Sequence, residues 1–267
     1  MIAWRGWMVV VAWVLVLAPS FAHANERHFT YTYESSTLPA GNVELEPWTT
    51  WRVGRERYYN RFDHRLEFEY GITDRLQTAL YLNFSAVAAG GEMNTRTSSF
   101  NYGGVSSEWK LRVLDSGADP VGLAFYLEVT GEPEALELEQ KVILDVRSGD
   151  WLFATNLVAE QEVGFAPDET EVEYVFVGYL ALGYFLSEQW MIGLEFRNHT
   201  DIAHGDFEHS AFFIGPVASY ATEGYWVALS VLPQIGAIKP DSAPDGDFRD
   251  LEGHEMLNAR LLLGFPL

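Results

Sequence analysis

Charged side chains at every second position are the feature of this chain with the clearest chemical potential. Arg52, Arg61 and Arg65 lie towards one end of two polar rows, and glutamates lie towards the other end. Alternate residues of an extended strand share one face, so these rows would face a common space. Opposed rows of basic and acidic groups could orient a small solute and set the selectivity of a narrow pore. The residues assigned to this lumen face are Glu44, Glu46, Arg52, Arg61, Asp63, Arg65, Glu67, Glu69, Lys110, Arg112, Glu137, Glu139 and Lys141.

The same rows allow a second interpretation, a salt-bridge network that fills a barrel too narrow to conduct. Barrels of about eight strands are filled by side chains, whereas barrels of about 16–18 strands hold aqueous channels. A barrel of intermediate size is compatible with both.

A histidine-rich stretch, residues 198–210, is the next candidate site. It places three histidines among three acids, namely His199, His204, His209, Asp201, Asp206 and Glu208. Imidazole and carboxylate groups are suitable ligands for transition metals. The histidines recur every five residues, however, and this spacing matches neither a helical pair nor a hairpin pair. We therefore predict no metal site here and no cofactor for the chain.

An acidic stretch near the C-terminus is interpreted as a solvated charged loop. Its acids are Asp241, Asp245, Asp247, Asp250 and Glu252. They do not match the EF-hand register, which needs acids at alternate positions before its glycine. Weak calcium binding, or bridging to lipopolysaccharide phosphates through divalent ions, is the alternative.

A catalytic serine and its base cannot be assembled from the sequence. His209 and Ser210 are adjacent, which points their side chains to opposite faces of a strand. His64 lies on an apolar face without an evident serine neighbour, and no G-x-S-x-G motif occurs. We predict that the protein is not an enzyme, and an outer-membrane lipid-modifying hydrolase is the alternative from a different class.

Strands must position these side chains. Residues 62–70 and 76–84 alternate apolar and polar side chains around a tight link at residues 71–74, which predicts a two-faced antiparallel hairpin. The pattern recurs in about twelve segments, most of them near the roughly 9–11 residues that a tilted membrane strand requires. No window has a sustained helical period. The prediction is an all-β fold, a single antiparallel transmembrane β-barrel of about twelve strands. A secreted β-sandwich or soluble barrel is the alternative.

The links between these segments differ in length. Short links, such as residues 71–74 and 148–150, alternate with longer ones, such as residues 85–105 and 235–254. Short turns on one side and long loops on the other are typical of an outer-membrane barrel with both termini in the periplasm. Aromatic residues at the strand ends predict two interfacial girdles, formed by Trp48, Trp51, Tyr58, Tyr59, Trp151, Trp190, Tyr225 and Trp226.

The N-terminal part of the chain indicates export. Residues 1–24 combine a basic residue, an apolar run and the cleavage motif Ala22-His23-Ala24, which predicts a signal peptide. Residues 25–42 are expected to form an N-terminal periplasmic segment or plug, and residues 43–267 the barrel. The chain has no cysteine, which excludes disulfides, and its net charge of −21 argues against nucleic acid as a partner.

Three motifs carry a resemblance to a known class of protein. They are the TLPAG motif at residues 37–41, the EYGITDRL turn at residues 69–76, and the alternating apolar strand that ends with Phe265 and Leu267. In these features the chain resembles poorly characterised porin-like or transporter-like barrels of the bacterial outer membrane. The resemblance implies an outer-membrane location, with outer-membrane lipid, lipopolysaccharide and the barrel-assembly machinery as partners. It brings no functional residues.

Fold and charge pattern together predict porin-like passage of small solutes through a narrow charged lumen. The alternative is a structural or accessory barrel that conducts nothing.

Overall fold

A computed structural model of the chain describes residues 26–90, 95–165, 170–203, 205–240 and 248–267. The predicted signal peptide at residues 1–24 lies outside the described residues. Within them, no helix is long and apolar enough to span a bilayer.

Twelve antiparallel strands form one closed barrel in which β1 pairs with β12. The strands are β1 (Val43–Val53), β2 (Tyr59–Thr73), β3 (Leu76–Gly90), β4 (Arg96–Leu114), β5 (Gly122–Gly131), β6 (Ala135–Ser148), β7 (Trp151–Phe165), β8 (Thr170–Phe185), β9 (Trp190–Ala203), β10 (Asp206–Ala221), β11 (Trp226–Ile238) and β12 (Leu257–Pro266). The fold and the strand number predicted from alternation are thereby confirmed. The end of the barrel where Glu44 pairs with Pro266 carries the short turns, the start of β1 and the end of β12, and it corresponds to the predicted periplasmic end.

The barrel has polar side chains inside and apolar side chains outside. In β5, Phe125 and Leu127 are 48% and 40% exposed, whereas Tyr126 and Glu128 are 3% and 2% exposed. Soluble proteins bury leucine and expose glutamate, so this arrangement is the reverse of theirs. An outer surface of leucine and phenylalanine on a closed sheet meets the requirements of lipid, which tolerates no open sheet edge.

Five predicted girdle residues are exposed near strand ends, namely Trp51, Tyr58, Trp151, Trp190 and Tyr225. The prediction is wrong for Trp48 and Trp226, and also for Tyr59, which is half-buried at the start of β2 in the inward phase of Arg61. Trp226 is 1% exposed and donates from Nε1 to Glu44 Oε1 at 2.6 Å, and Trp48 packs against the buried cluster that contains Trp226. Trp48 lies four residues after Glu44 in β1 and therefore faces inward like Glu44. Gly264 has no Cβ and leaves room for the indole of Trp226. A Cβ at Gly264 would lie 2.0 Å from Trp226 Nε1.

Candidate functional site

The lumen contains the N-terminal segment, residues 26–42, which precedes β1 without pairing into the sheet. Phe29 is fully buried against side chains of β7 to β10. Tyr31 is buried against β10 and β11. Tyr33 packs on Tyr126 of β5, on the other side of the ring of strands. The segment therefore crosses the barrel interior and contacts opposite walls.

Glu195 of β9 is the strongest attachment point of the N-terminal segment. Its carboxylate is 1% exposed and accepts the backbone N–H groups of Tyr31 and Thr32, both at 2.9 Å. The backbone N–H and Oγ1 of Thr30 donate to the other oxygen, at 3.1 and 2.8 Å. Hydrogen bonds to an ionised acceptor are roughly twice as strong as neutral ones. Four donors thus compensate one buried charge and fix three consecutive residues.

Other wall side chains continue this pattern along the segment. Asn156 forms two bonds with the backbone of Tyr33, accepting its N–H at 2.6 Å and donating to its carbonyl at 2.9 Å. Asp145 accepts the N–H of Ser35 at 2.8 Å. Gln77 does the same for residue 38, also at 2.8 Å. Backbone groups buried outside a sheet must find partners. Here polar side chains of the wall take the place of a neighbouring strand.

A charge cluster surrounds the same segment in the periplasmic half of the lumen. Arg27 is 8% exposed and donates to Glu46 at 2.9 Å. Carboxylate oxygens of Glu46, Glu67 and Glu69 lie within 4.8 Å of one another. A buried charge is costly unless it is paired. The cation that the segment carries into this group of carboxylates therefore links the segment to the wall electrostatically.

An outer cavity of about 350 Å³ lies towards the extracellular end. Its lining includes three arginines and three acids, namely Arg52, Arg61, Arg65, Asp63, Glu132 and Glu137. Arg52 and Arg61 both donate to Asp63, at 2.7 and 2.6 Å. Arg65 Nη1 lies 3.0 Å from Glu128 Oε1. The outer cavity thus presents both signs of charge, with the arginines paired to carboxylates.

All thirteen residues that the sequence assigns to the lumen face have inward-facing side chains. Those less than a tenth exposed are Glu44, Glu46, Glu67, Glu69, Lys110 and Lys141. Those at the outer cavity are Arg52, Arg61, Asp63, Arg65 and Glu137. The remaining two are Arg112, paired with Asp115 at 2.9 Å, and Glu139, paired with Lys141 at 2.7 Å. A role of these residues in conduction stays a prediction.

Sequence reasoning did not assign several interior residues that hold the site together. Glu108 and Glu128 lie on the polar side of predicted strands, so alternation alone could have identified them. Glu195 is an isolated acid between apolar neighbours in β9, which is a weaker signal. The sequence does not indicate that Arg27 lies in the lumen, because Arg27 belongs to no strand and so has no alternation pattern.

A second group of titratable residues lies at the extracellular end of β9 and β10. This histidine cluster consists of His199, Asp201, His209, Asp250 and His254. Asp201 Oδ2 lies 2.8 Å from His209 Nε2 and 3.2 Å from His254 Nε2. Asp201 Oδ1 lies 3.1 Å from His199 Nε2. Burial, more than any other effect, lowers the pKa of His254. Imidazole and carboxylate groups at these distances are able to hold a metal ion.

The structure alters the interpretation of both loops. The spacing of histidines along residues 198–210 does not decide whether a metal site can form, because His254 joins the cluster from a distant segment. Asp250 is 6% exposed rather than solvated, which corrects the expectation for that residue. His204 and the acids Asp241, Asp245 and Asp247 lie outside the described residues, whereas Asp206 and Glu208 are exposed.

The histidines considered for hydrolase chemistry have other partners. His209 faces Asp201, while Ser210 Oγ lies 2.7 Å from Asn198 Nδ2 on the other face of the strand. His64 Nδ1 lies 2.9 Å from Thr49 Oγ1. In the described residues, neither histidine is hydrogen-bonded to a serine.

The chain belongs to a family of unknown function (DUF6662), which it matches over residues 21–136 and 153–267. No curated protein matches it.

Solved structures with the same fold are outer-membrane barrels. The COG4313 outer membrane channel from Pseudomonas putida F1 has a TM-score of 0.63 at 11% identity, covering 87% of this chain and 98% of that one. The NanC porin has a TM-score of 0.53 at 12% identity, covering 84% and 100%. The β domain of the Bordetella autotransporter BrkA has a TM-score of 0.50 at 10% identity, covering 85% and 100%. At this identity the likeness shows the fold alone. The predicted resemblance to outer-membrane barrels is confirmed at the level of the fold.

Proposed function

We propose that this barrel passes small polar solutes through its lumen and that the N-terminal segment acts as the plug that controls the passage. The observation that carries the proposal is how the lumen is filled. The material that crosses it is a separate stretch of chain, held mainly by side-chain contacts, and not a set of side chains belonging to the wall. Such a segment can move without breaking any strand pairing, because the barrel closes through β1 and β12.

The outer cavity supports small polar solutes as the class that passes. Arginines and acids are equally represented among its charged lining residues, and the arginines are already paired with carboxylates. A pore with balanced, internally paired charge has little electrostatic preference for either sign of ion. We therefore expect the outer cavity to contribute little selectivity between anions and cations, so that removing its charge pair with Arg52→Gln and Asp63→Asn should leave the reversal potential in a salt gradient close to the wild-type value.

The second candidate function is a structural barrel that conducts nothing. The observation that favours it is the density of buried ties between the segment and the wall, above all the four donors on Glu195. The two candidate functions, a gated pore and a non-conducting barrel, differ in whether the N-terminal segment can move out of the lumen in the membrane.

Single-channel recording of a deletion variant tests the proposal. Removing residues 27–36 leaves the strands intact, and a folded barrel is recognised by its altered gel mobility before heating. We expect a larger conductance than in the wild type. A folded deletion variant that conducts no ions refutes passage, and equal conductance in both proteins refutes the role of the segment as a plug.

Point variants cover the case in which the deletion prevents folding. Glu195→Ala removes the main attachment of the segment, and we expect more frequent large openings. Glu137→Gln is the matched control, because it removes a carboxylate that lines the outer cavity. If the two variants open equally often, the attachment at Glu195 does not control passage.

A further inference from the structure

We propose that Asp201, His209 and His254 bind a divalent transition-metal ion of the Zn²⁺ class at the extracellular end of the lumen. The three residues come from β9, from β10 and from the segment that precedes β12. The inference stands on the geometry of the histidine cluster and does not depend on whether the barrel conducts.

A β-bulge brings the first two residues together. Phe207 of β10 pairs with Ile202, and after a register shift His209 pairs with Asp201. Regular pairing would have placed Glu208 opposite Asp201 and turned His209 to the other face. Bulges occur next to functional sites, where they re-aim a side chain. Here the bulge replaces a like-charged neighbour of Asp201 with an imidazole.

The two distances from Asp201 Oδ2 to the imidazole nitrogens are close to the ligand spacing around a tetrahedral ion. Asp201 Oδ2 lies 2.8 Å from His209 Nε2 and 3.2 Å from His254 Nε2. Bonds of about 2.0–2.2 Å to zinc in a tetrahedral arrangement place neighbouring ligand atoms about 3.3 Å apart. Both distances from Asp201 Oδ2 are within about half an ångström of this spacing.

Two of these atoms are buried and, although they lie 3.2 Å from each other, neither has a partner in hydrogen-bond geometry among the described residues. His254 is 7% exposed, and its Nε2 has no partner in hydrogen-bond geometry. The same holds for Asp201 Oδ2. Buried polar atoms in native proteins are nearly always satisfied, and where no protein group does so, a water molecule or an ion can. A metal ion would satisfy both atoms at once.

His199 is a positioning residue and not a ligand in this proposal. Arg197 Nη2 lies 2.6 Å from His199 Nδ1, and an arginine can only donate. Neutral His199 therefore carries its proton on Nε2 and donates it to Asp201 Oδ1 at 3.1 Å. This bond fixes the carboxylate and leaves Oδ2 for the ion.

Asp250 plays the corresponding part for His209. Its Oδ2 lies 3.6 Å from His209 Nδ1, which is beyond hydrogen-bond distance but favours a proton on that nitrogen. The lone pair of Nε2 then points to Asp201 and is available to a metal. A carboxylate behind a ligating histidine is a common arrangement in zinc sites.

The position of the site suggests what the ion would do. A cavity of about 430 Å³ adjoins the cluster and is lined in part by Asp201, His209 and His254. Three protein ligands leave a fourth position for water or a solute donor. Bound metal would also join the segment before β12 to the wall formed by β9 and β10.

Calorimetric titration with Zn²⁺ tests the proposal on the full-length protein in detergent, free of any histidine tag and stripped with a chelator. We expect one equivalent of Zn²⁺ to bind. His209→Ala and His254→Ala should each abolish this stoichiometric binding, and His199→Ala should weaken it by about 10- to 100-fold. Co²⁺ provides a second readout, because a tetrahedral ion gives a strong visible absorption that the two ligand variants should lack.

His64→Ala is the matched control, since His64 contacts Thr49 and stands apart from the cluster. It should bind Zn²⁺ like the wild type. Unheated gel mobility shows that each variant is folded. Absence of binding to the folded wild type overturns the proposal, and so does binding that survives in both ligand variants.

Discussion

The carboxylate of Glu195 accepts the backbone N–H of Tyr31 at 2.9 Å and so connects β9 with a segment that lies 164 residues earlier in the chain. The contact is buried, and it is one of four that converge on the same carboxylate. A single side chain of the wall thus fixes three consecutive residues of the N-terminal segment.

Replacing Glu195 with alanine should loosen the segment and leave the barrel intact. Hydrogen bonds to a charged group contribute about 1.5–3 kcal/mol each, and a loss of about 2–3 kcal/mol at an amide corresponds to roughly 30- to 150-fold faster exchange. Hydrogen exchange read by mass spectrometry should show this increase for the amides of Thr30, Tyr31 and Thr32. Unchanged exchange at these residues would contradict the assigned anchoring role, and Glu137→Gln serves as the control.

Removing Arg65 should destabilise the barrel more than removing both members of its ion pair. Glu128 is 2% exposed, and its Oε1 lies 3.0 Å from Arg65 Nη1. Arg65→Ala would remove this partner and leave the Glu128 carboxylate buried. Breaking a buried pair on one side costs about 3–5 kcal/mol. We expect a smaller loss for the double change Arg65→Met with Glu128→Gln, measured by urea unfolding in lipid vesicles. Equal losses would show that the pair is not coupled.

Gly264→Ala should displace the indole of Trp226 and break its bond to Glu44. The added Cβ would lie 2.0 Å from Trp226 Nε1, and overpacking of this kind costs about 1–3 kcal/mol. Tryptophan fluorescence during unfolding reports the loss. Gly178→Ala is the matched control, because nothing lies within 4 Å of the Cβ that it would add. Two variants of equal stability would contradict the close approach.

The contact between His28 and Glu34 within the N-terminal segment should depend on pH. Burial alone would lower the pKa of His28, but the Glu34 carboxylate, 2.9 Å away, raises it above its ordinary 6.5. Burial alone would raise the pKa of Glu34, yet His28 lowers it below 4.5. Glu26 adds to the rise at His28, and Arg147 opposes it.

The sign of each shift defines the pH window. Stabilisation by His28 is fully present below its unfolded pKa and is lost as the pH rises through the raised value. Stabilisation by Glu34 is present above its unfolded pKa and is lost as the pH falls through the lowered value. The contact is therefore strongest between about pH 4.5 and 6.5. In Glu34→Gln, burial dominates, and NMR titration of the ring should give His28 a pKa below 6.5. A pKa that stays raised would exclude Glu34 as the cause.

Alternation along the chain determined the fold and the two faces of each strand. Phe125 and Leu127 face outward while Tyr126 and Glu128 face inward, because the side-chain period of a strand is two whatever surrounds it. The same local rule predicted the inward phase of the thirteen charged residues, and the short and long links lie at opposite ends of the barrel as their lengths predicted. These properties depend only on neighbours in the sequence.

The tertiary structure alone decided what fills the lumen and which distant residues meet there. The anchoring of Thr30 by Glu195, the burial of Trp226 over Gly264, and the approach of His254 to Asp201 each join residues that the chain separates widely. Barrel closure and strand register set these contacts, and a shift of one residue in register, such as the β-bulge beside Asp201, turns side chains to the other face. The side-chain period of a strand predicts which face a residue occupies but not which residue of a neighbouring element lies beside it. The polar rows were therefore predictable from the sequence, whereas their contact partners were not.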